Sequence, residues 1–293
     1  MNKISEIIIT GFCRMCGIIL LASVFSILGY VVYKGIGVIN ISLIFGTTSV
    51  PDAIMLKKQV FDGLFPAIAG TMMLVAISVL LAVPIGIAGG IYLAEYAKGV
   101  SRKIFGLFSD IMAGIPSIVI GLFGFSMTIF LNRYFSARIY PCLFISSICL
   151  ALLVLPYIIR TTQAALESLP DNIRLTAIAL GATKLQNIRY VMIPKSLPGI
   201  FSGIILAVGR CAEDTAVIML TGVVASAGVP KSLFSHYEAL PFYIYYISSQ
   251  YTTPSEMLRG YGASVILLVI CLFFFMLSFA IQRGLTYRSL YRA

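Results

Sequence analysis

The sequence predicts an all-α membrane protein of six transmembrane helices, and three observations carry that prediction. The 293 residues are 59% hydrophobic and 11% charged, against about half and about a quarter in soluble domains. Mean hydropathy is +1.00. The apolar residues form long unbroken runs, several of which reach the roughly 20 residues a helix needs to cross a hydrocarbon core. In lipid, only helices and closed barrels satisfy every backbone polar group, and runs without alternation specify helices.

The first span is Ile7–Tyr33. It is long for a secretory signal and lacks an A-x-A cleavage site, so it is expected to be retained. With the mixed loop that follows it forms a first segment, 1–63. A core of five spans, 64–282, follows, and 283–293 is a tail. The second span, Leu64–Ala94, contains Pro84 and Gly89-Gly90. It exceeds the core thickness, so tilt, a kink or an interfacial turn is expected. The third span covers Ile104–Leu131, where Pro116 predicts a kink and Gly114, Gly121 and Gly124 allow close helix approach. The fourth covers Tyr140–Ile159, the fifth Gly199–Thr221 and the sixth Gly262–Gln282.

Placing the N-terminus inside gathers most loop Lys and Arg on the inner face. These are Lys3, Arg14, Lys98, Arg102, Lys103, Arg160, Arg174, Lys184, Arg189, Lys195, Arg283, Arg288 and Arg292, against Lys34, Lys57, Lys58, Arg133, Arg138, Lys231 and Arg259 outside. Both termini are therefore expected in the cytoplasm, with the chain multi-pass in the cytoplasmic (inner) membrane. The same distribution accounts for the net charge of +10 without a nucleic-acid partner. The six cysteines lie mainly in apolar runs and suit free small hydrophobes.

The long loop 160–198 is expected inside. Pro170-Asp171-Asn172 is a helix start signal. Gly181 suits a left-handed stop, and Thr183 can cap a second short helix. Ile173, Ala177 and Leu180 share one face, leaving Arg174, Lys184 and Arg189 available to solvent or a partner. Such a helix can lie on the membrane, pack under its own bundle or dock in another protein's groove.

In the fifth span, Arg210 lies about 16 Å beyond Gly199 at about 1.5 Å per residue, near mid-membrane. An Arg there costs at least about 2.5–3.5 kcal/mol on insertion scales. Glu213 and Asp214, at i+3 and i+4, can both reach it. Either the three form an internal lock, or Arg210 offers a planar fork to an oxyanion in a water-lined path. In the second case a neighbouring acid keeps the anion from binding too tightly to leave.

A resemblance sharpens this reading. Leu175-Thr176-Ala177-Ile178-Ala179-Leu180-Gly181, with Val191-Met192-Ile193-Pro194 after it, resembles the coupling loop of ABC importer permeases. Leu175 stands where that family has Glu, and Thr176 where it has Ala. Gly114-Ile115-Pro116-Ser117, Ala94-Glu95-Tyr96-Ala97 and Leu155-Pro156-Tyr157 are similar to segments of phosphate permeases, and the order favours the PstA type over the PstC type. That family reads Gly-Arg-Ala-x-Gly-Glu-Thr at the charged centre. Here Arg210 and Thr215 match, Asp214 takes the place of the Glu, and Glu213 that of the Gly.

The resemblance implies the type I ABC importer permease fold with a cytoplasmic coupling helix. It implies four kinds of partner: a PstC-type second permease, two PstB-type ATPase subunits, an extracytoplasmic PstS-type phosphate-binding protein and membrane lipid. Arg210, Glu213, Asp214 and Thr215 would line the substrate pathway. Ile173, Arg174, Ala177, Leu180, Gly181, Ala182 and Lys184 would couple to the ATPase.

No G-x-x-x-x-G-K-[ST] occurs, so the chain has no P-loop for nucleotide. No cofactor of its own is expected; ATP would be bound by the partner ATPases. The single histidine, His236, lies in an outer loop, so neither a metal site nor a catalytic set is expected. Two alternatives stay open: a same-fold permease for another oxyanion such as molybdate or sulfate, and a stand-alone secondary transporter or channel.

Overall fold

The computed structural model describes residues 3–55, 59–135 and 139–291, with side chains from 5 to 284 apart from that of Ile54. Lys57, Lys58, Arg138 and Arg292, and the side chains of Lys3 and Arg288, lie outside the described residues. Six described helices are long and apolar enough to cross a membrane. No named strand occurs among the described residues; one isolated bridge joins Val223 and Tyr237.

Helix α1 (Lys3–Ile36) is an exposed apolar rod packed mainly on the last helix. Two short turns follow, α2 (Ile41–Phe45) and α3 (Val50–Ile54); the Asn40 side chain caps α2 by accepting from the Leu43 N–H at 2.8 Å. Helix α4 (Phe65–Ile91) carries Pro84 internally and ends in a π turn, Tyr92–Tyr96.

The third span differs from expectation. Ile104–Leu131 is not one helix: α5 (Gly99–Gly114) stops, Ile115 and Pro116 are extended, and α6 (Ser117–Tyr134) begins. Proline disfavours helical geometry in the residue before it, so Ile115 leaves the helix and the chain breaks rather than bends. Only α6 qualifies as a span.

Helix α7 (Leu143–Glu167) is the centre of the bundle and packs along α4 and α10. Cys149, Leu150, Val154, Ile158, Thr162 and Leu166 are all at 0% exposure, so a stripe with four-residue spacing is enclosed. Its neighbours approach through paired glycines. A Cβ on Gly86 of α4 would lie 2.6 Å from Ile158, and one on Gly90 2.5 Å from Thr162. On the opposite flank, a Cβ on Gly203 would lie 1.8 Å from Thr161 Oγ1, and one on Gly199 2.6 Å from Ala165. Lipid supplies no hydrophobic force between helices, so close backbone approach supplies the attraction.

The expected loop 160–198 is shorter than its polarity implied. α7 runs on to Glu167. After α8 (Asp171–Ala179) and α9 (Lys184–Asn187), a second π turn (Ile188–Met192) leads without a break into α10 (Ile193–Glu213). Pro194 follows closely on this π turn, so the missing N–H falls where the regular hydrogen-bond ladder is already interrupted. The fifth span is also not Gly199–Thr221. It ends at Glu213, and a separate short helix, α11 (Ala216–Thr221), packs on α6.

Residues 222–239 form an ordered strap. Val224 N–H donates to Tyr237 O at 3.0 Å, and the N–H groups of Leu143 and Phe144, at the start of α7, donate to Ser235 O and Leu233 O. The stretch expected as a loop to Tyr261 contains α12 (Leu240–Gln250) and the start of α13 (Pro254–Tyr291), so the expected tail is helical as far as Tyr291.

Candidate functional site

Two places bring polar chemistry together: the helical pair at one end of the bundle and the end of α10.

The helical pair is held by its caps. The Ala182 N–H donates to Ala177 O at 3.0 Å and the Gly181 N–H to Ile178 O at 2.9 Å. Gly181 has φ +86. These are the paired bonds of a helix stop built on a left-handed glycine. One residue on, Thr183 and Gln186 cap each other: the Thr183 N–H donates to Gln186 Oε1 at 2.8 Å, and the Gln186 N–H to Thr183 Oγ1 at 3.3 Å. A side chain at 181 would be strained whatever space surrounds it.

The expected apolar face divides. Ile173 and Ala177 are half-buried against the bundle, whereas Leu180 is 85% exposed beside exposed Leu175, Ile178 and Leu185. Exposed leucines clustered at a bundle end are unusual unless something covers them.

Arg174 and Lys184 are not free. Arg174 Nη2 lies 2.6 Å from Glu95 Oε1. Lys184 Nζ lies 4.0 Å from Glu95 Oε2, donates to the Glu95 carbonyl and sits 4.6 Å over the Tyr96 ring. Asn187 Nδ2 donates to Arg174 O at 2.7 Å. Glu95, in the π turn closing α4, therefore receives both cations. Next to it, α5 is bound to α7 by a ladder. Arg160 is bidentate on Asp110, at 2.9 Å (Nε) and 2.6 Å (Nη2), and donates to Gln163 Oε1 and Gly106 O. Gln163 and Arg102 both donate to Glu167 Oε1, at 2.9 Å and 2.5 Å.

At the end of α10, Arg210 Nη1 donates to Glu213 Oε1 at 2.9 Å, with side-chain exposures of 40% and 63%. Arg210 Nε is buried without a partner. Asp214 does not share the guanidinium by hydrogen bond. It is 6% exposed, and its Oδ1 accepts from the Val217 N–H at 2.9 Å, capping α11. The reason is local. Glu213 is the last helical residue and keeps the i+3 relation to Arg210, whereas Asp214 is the first extended one and takes the capping position. Thr215 is half-buried beside it. Glu213 also reaches the wall of an apolar cavity of about 420 Å³ between α1, α10, α12 and α13.

Gly121 of α6 meets this region closely, since a Cβ there would lie 3.0 Å from Ala216 O. Around Gly114 there is open space, and Pro116 stands at the helix break.

Sequence reasoning assigned no role to Glu95 or Asn187. An acid at the end of an apolar run, facing a later loop rich in cations, was the available signal. Gln59 and Glu238 were also missed. Glu238 Oε1 accepts the N–H groups of Ala227 and Gly228 at 2.8 Å each, and Gln59 Oε1 that of Val229 at 3.0 Å. Burial pushes the Glu238 carboxyl upward, opposed by those two N–H groups.

No group of three or more His, Cys, Asp or Glu side chains that could hold a metal occurs among the described residues. Six helices long enough to cross a membrane, with α7 buried among the others, an ion pair where one of them ends and a helical pair projecting from one end define a multi-pass membrane protein of the transport class. The chain belongs to the family of binding-protein-dependent transport system inner membrane components, which matches residues 86–288. It is a non-catalytic transport subunit of that family.

Among curated relatives, it is similar to the phosphate transport system permease protein PstA 1 of Mycobacterium tuberculosis. Identity is 32% over 220 residues, covering 74% of this chain and 69% of the relative. It is also similar to PstA of Haemophilus influenzae, at 32% over 249 residues and covering 84% and 83%. Among solved structures, it matches a chain of a bacterial alginate ABC transporter with a TM-score of 0.65 at 16% identity, covering 97% of this chain and 99% of that one. The fold is that of type I ABC importer permeases.

Proposed function

We propose that the chain is the permease subunit of an ATP-driven importer of inorganic phosphate. The observation that carries this reading is the extended similarity to phosphate transport system permeases, over 74% and 84% of the chain. A guanidinium where α10 breaks supports it, because a planar fork suits a tetrahedral oxyanion.

On this reading Arg210 binds the anion. Glu213 holds the guanidinium while the path is empty and competes for it afterwards, which favours release. Asp214 and Thr215 set the break between α10 and α11. The α8–α9 pair docks on an ATPase subunit and passes its movement to α4 through Glu95. The exposed leucines supply the apolar contact. ATP is bound by two PstB-type ATPases, a PstC-type chain completes the pathway, and a PstS-type protein delivers phosphate from outside. Both termini lie in the cytoplasm, on the α8 side.

The test is ATP-driven uptake of labelled phosphate by vesicles holding the complete complex, challenged with molybdate or sulfate. Uptake that excess phosphate suppresses and the other anions do not supports the assignment. Suppression by molybdate or sulfate at lower concentration than phosphate would reassign the substrate.

A further inference from the structure

Helix α5 does not qualify as a span, yet Val100, Ile104, Leu107 and Ile111 along it are all more than half exposed. A helix of this kind lies at the membrane surface with its apolar side in the acyl region. Its other side is bound to α7, where Arg160 donates to Gly106 O and pairs with Asp110. Between α5 and the end of α4 opens a cleft of about 700 Å³. Pro84, Ile85, Ala88 and Tyr92 line one wall, and Phe105 and Phe108 the other. The Tyr92 and Phe105 rings meet edge to face, with centres 5.7 Å apart. The Ser109 hydroxyl, also in the lining, donates to Phe105 O of its own helix at 3.1 Å. Water in a cavity needs about two to four polar partners, which this mostly apolar lining does not supply. Hydrocarbon suits it.

The two walls join at a turn that carries positive charge. Lys98 is the last residue before α5, and Arg102 lies one helical turn before Phe105 on the same side. The acids of the π turn, α5 and α7 here, Glu95, Asp110 and Glu167, each already receive a cation. Among the described residues the exposed Lys98 side chain has no ion-pair or hydrogen-bond partner. Nothing lies within 4 Å of where a side chain at Gly99 would begin, so the turn is open to the outside.

We propose that this cleft is a binding site for an anionic phospholipid of the leaflet on the α8 side, with one acyl chain between α4 and α5 and the phosphate at Lys98 and Arg102. Shape selects the tail and charge the headgroup. Phosphatidylglycerol brings a phosphate without a compensating ammonium, whereas phosphatidylcholine would bring its own cation up to Lys98. Basic groups beside spans attract anionic headgroups by the same electrostatics. The inference requires only that the α8 side face a membrane interface, so it is independent of the transported solute.

The experiment places the complete complex in phosphatidylcholine vesicles containing a minor share of phosphatidylglycerol. One or the other lipid carries a photoreactive group on an acyl chain. Phosphatidylglycerol should label the peptides holding Ile85 and Phe108 several-fold more than phosphatidylcholine does. Lys98→Gln should cut that labelling about fivefold, the loss of roughly one basic group at an anionic headgroup. Lys103→Gln, on the opposite side of α5 from Phe105, should leave it unchanged. Ala88→Phe, which fills the cleft from an exposed position, should suppress labelling by both probes. Lys98→Gln alters an exposed side chain, so the test does not depend on Ala88→Phe folding. Equal labelling by the two lipids, unaffected by Lys98→Gln, would mean bulk lipid and overturn the site. Equal losses in Lys98→Gln and Lys103→Gln would mean diffuse surface charge and overturn it too. Labelling confined to the second permease would give the cleft to a protein and reject the lipid. None of these readouts involves ATP or phosphate uptake, so their failure leaves the transport reading intact.

Discussion

The Arg174 guanidinium lies 2.6 Å from the Glu95 carboxylate, joining α8 to the π turn that closes α4. The two side chains are 79 residues apart in sequence and mostly shielded, at 27% and 14% exposure. A bond to a charged group is worth about 1.5–3 kcal/mol, and on the proposed docking role it ties the helical pair to the end of α4. Glu95→Gln should leave the complex assembled but lower transport per ATP hydrolysed about tenfold, the equivalent of about 1.4 kcal/mol. Glu95→Asp should retain part of the coupling. The check is paired ATPase and uptake assays on the same vesicles.

Helix packing makes a separate prediction. A Cβ at Gly203 would lie 1.8 Å from Thr161 Oγ1, and overpacking typically costs about 1–3 kcal/mol. Gly203→Ala should lower the thermal unfolding temperature of the complex in detergent. Thr161→Ala on the same chain should recover part of the loss, because it removes the nearest atom and leaves the residue 161 Cβ, at 2.7 Å. Simple additivity of the two effects would place the strain elsewhere.

The strap over α7 depends on a carboxyl group acting as an acceptor. Glu238→Gln keeps an oxygen for Ala227 and Gly228, so hydrogen exchange at those amides should stay slow. Glu238→Ala strips both amides of their partner, at about 1–3 kcal/mol for each buried group left unmatched. Exchange there should quicken accordingly. The pH dependence has a definite sign. Burial raises this carboxyl in the folded chain, so its neutral form is the one folding favours. Its contribution is fully present below the unfolded carboxyl range and is lost as pH rises through the folded value. Exchange protection of the strap should rise as pH falls through the raised range of this carboxyl, and Glu238→Gln should remove that dependence.

The substrate reading stands on Arg210. Arg210→Gln should reduce phosphate uptake at least about a hundredfold while the ATPase still binds, as removal of about one charged transition-path contact would. Arg210→Lys should restore little, because an ammonium cannot form the fork. Uptake kinetics on complexes matched for assembly make the comparison.

Much of this architecture is legible in the sequence. Long apolar runs located the spans, and Pro170, Gly181 and Thr183 marked the helix–turn–helix at the bundle's end. Two kinds of feature are not. The sharpness of the breaks is one: Pro116 marks a bend but not the full stop at Ile115, and the cluster of Arg210, Glu213 and Asp214 does not say that the helix ends between the two acids. Partners distant in sequence are the other. An acid closing an apolar run says that Glu95 needs a cation but not that Arg174 supplies it, and nothing near Thr161 announces Gly203. The two acids after Arg210 look equivalent on a helical wheel. They separate only because the helix ends between them, leaving Glu213 with the guanidinium and Asp214 as a cap.

The central claim is that this chain forms a pathway driven by a separate ATPase bound at α8 and α9. The most direct measurement is labelled-phosphate uptake into vesicles containing this chain alone, the permease pair, or the complete complex with binding protein and ATP. Uptake should occur only in the complete complex, and Leu180→Asp should abolish it. Sustained uptake by the chain alone, or by the pair without ATPase, would contradict the account.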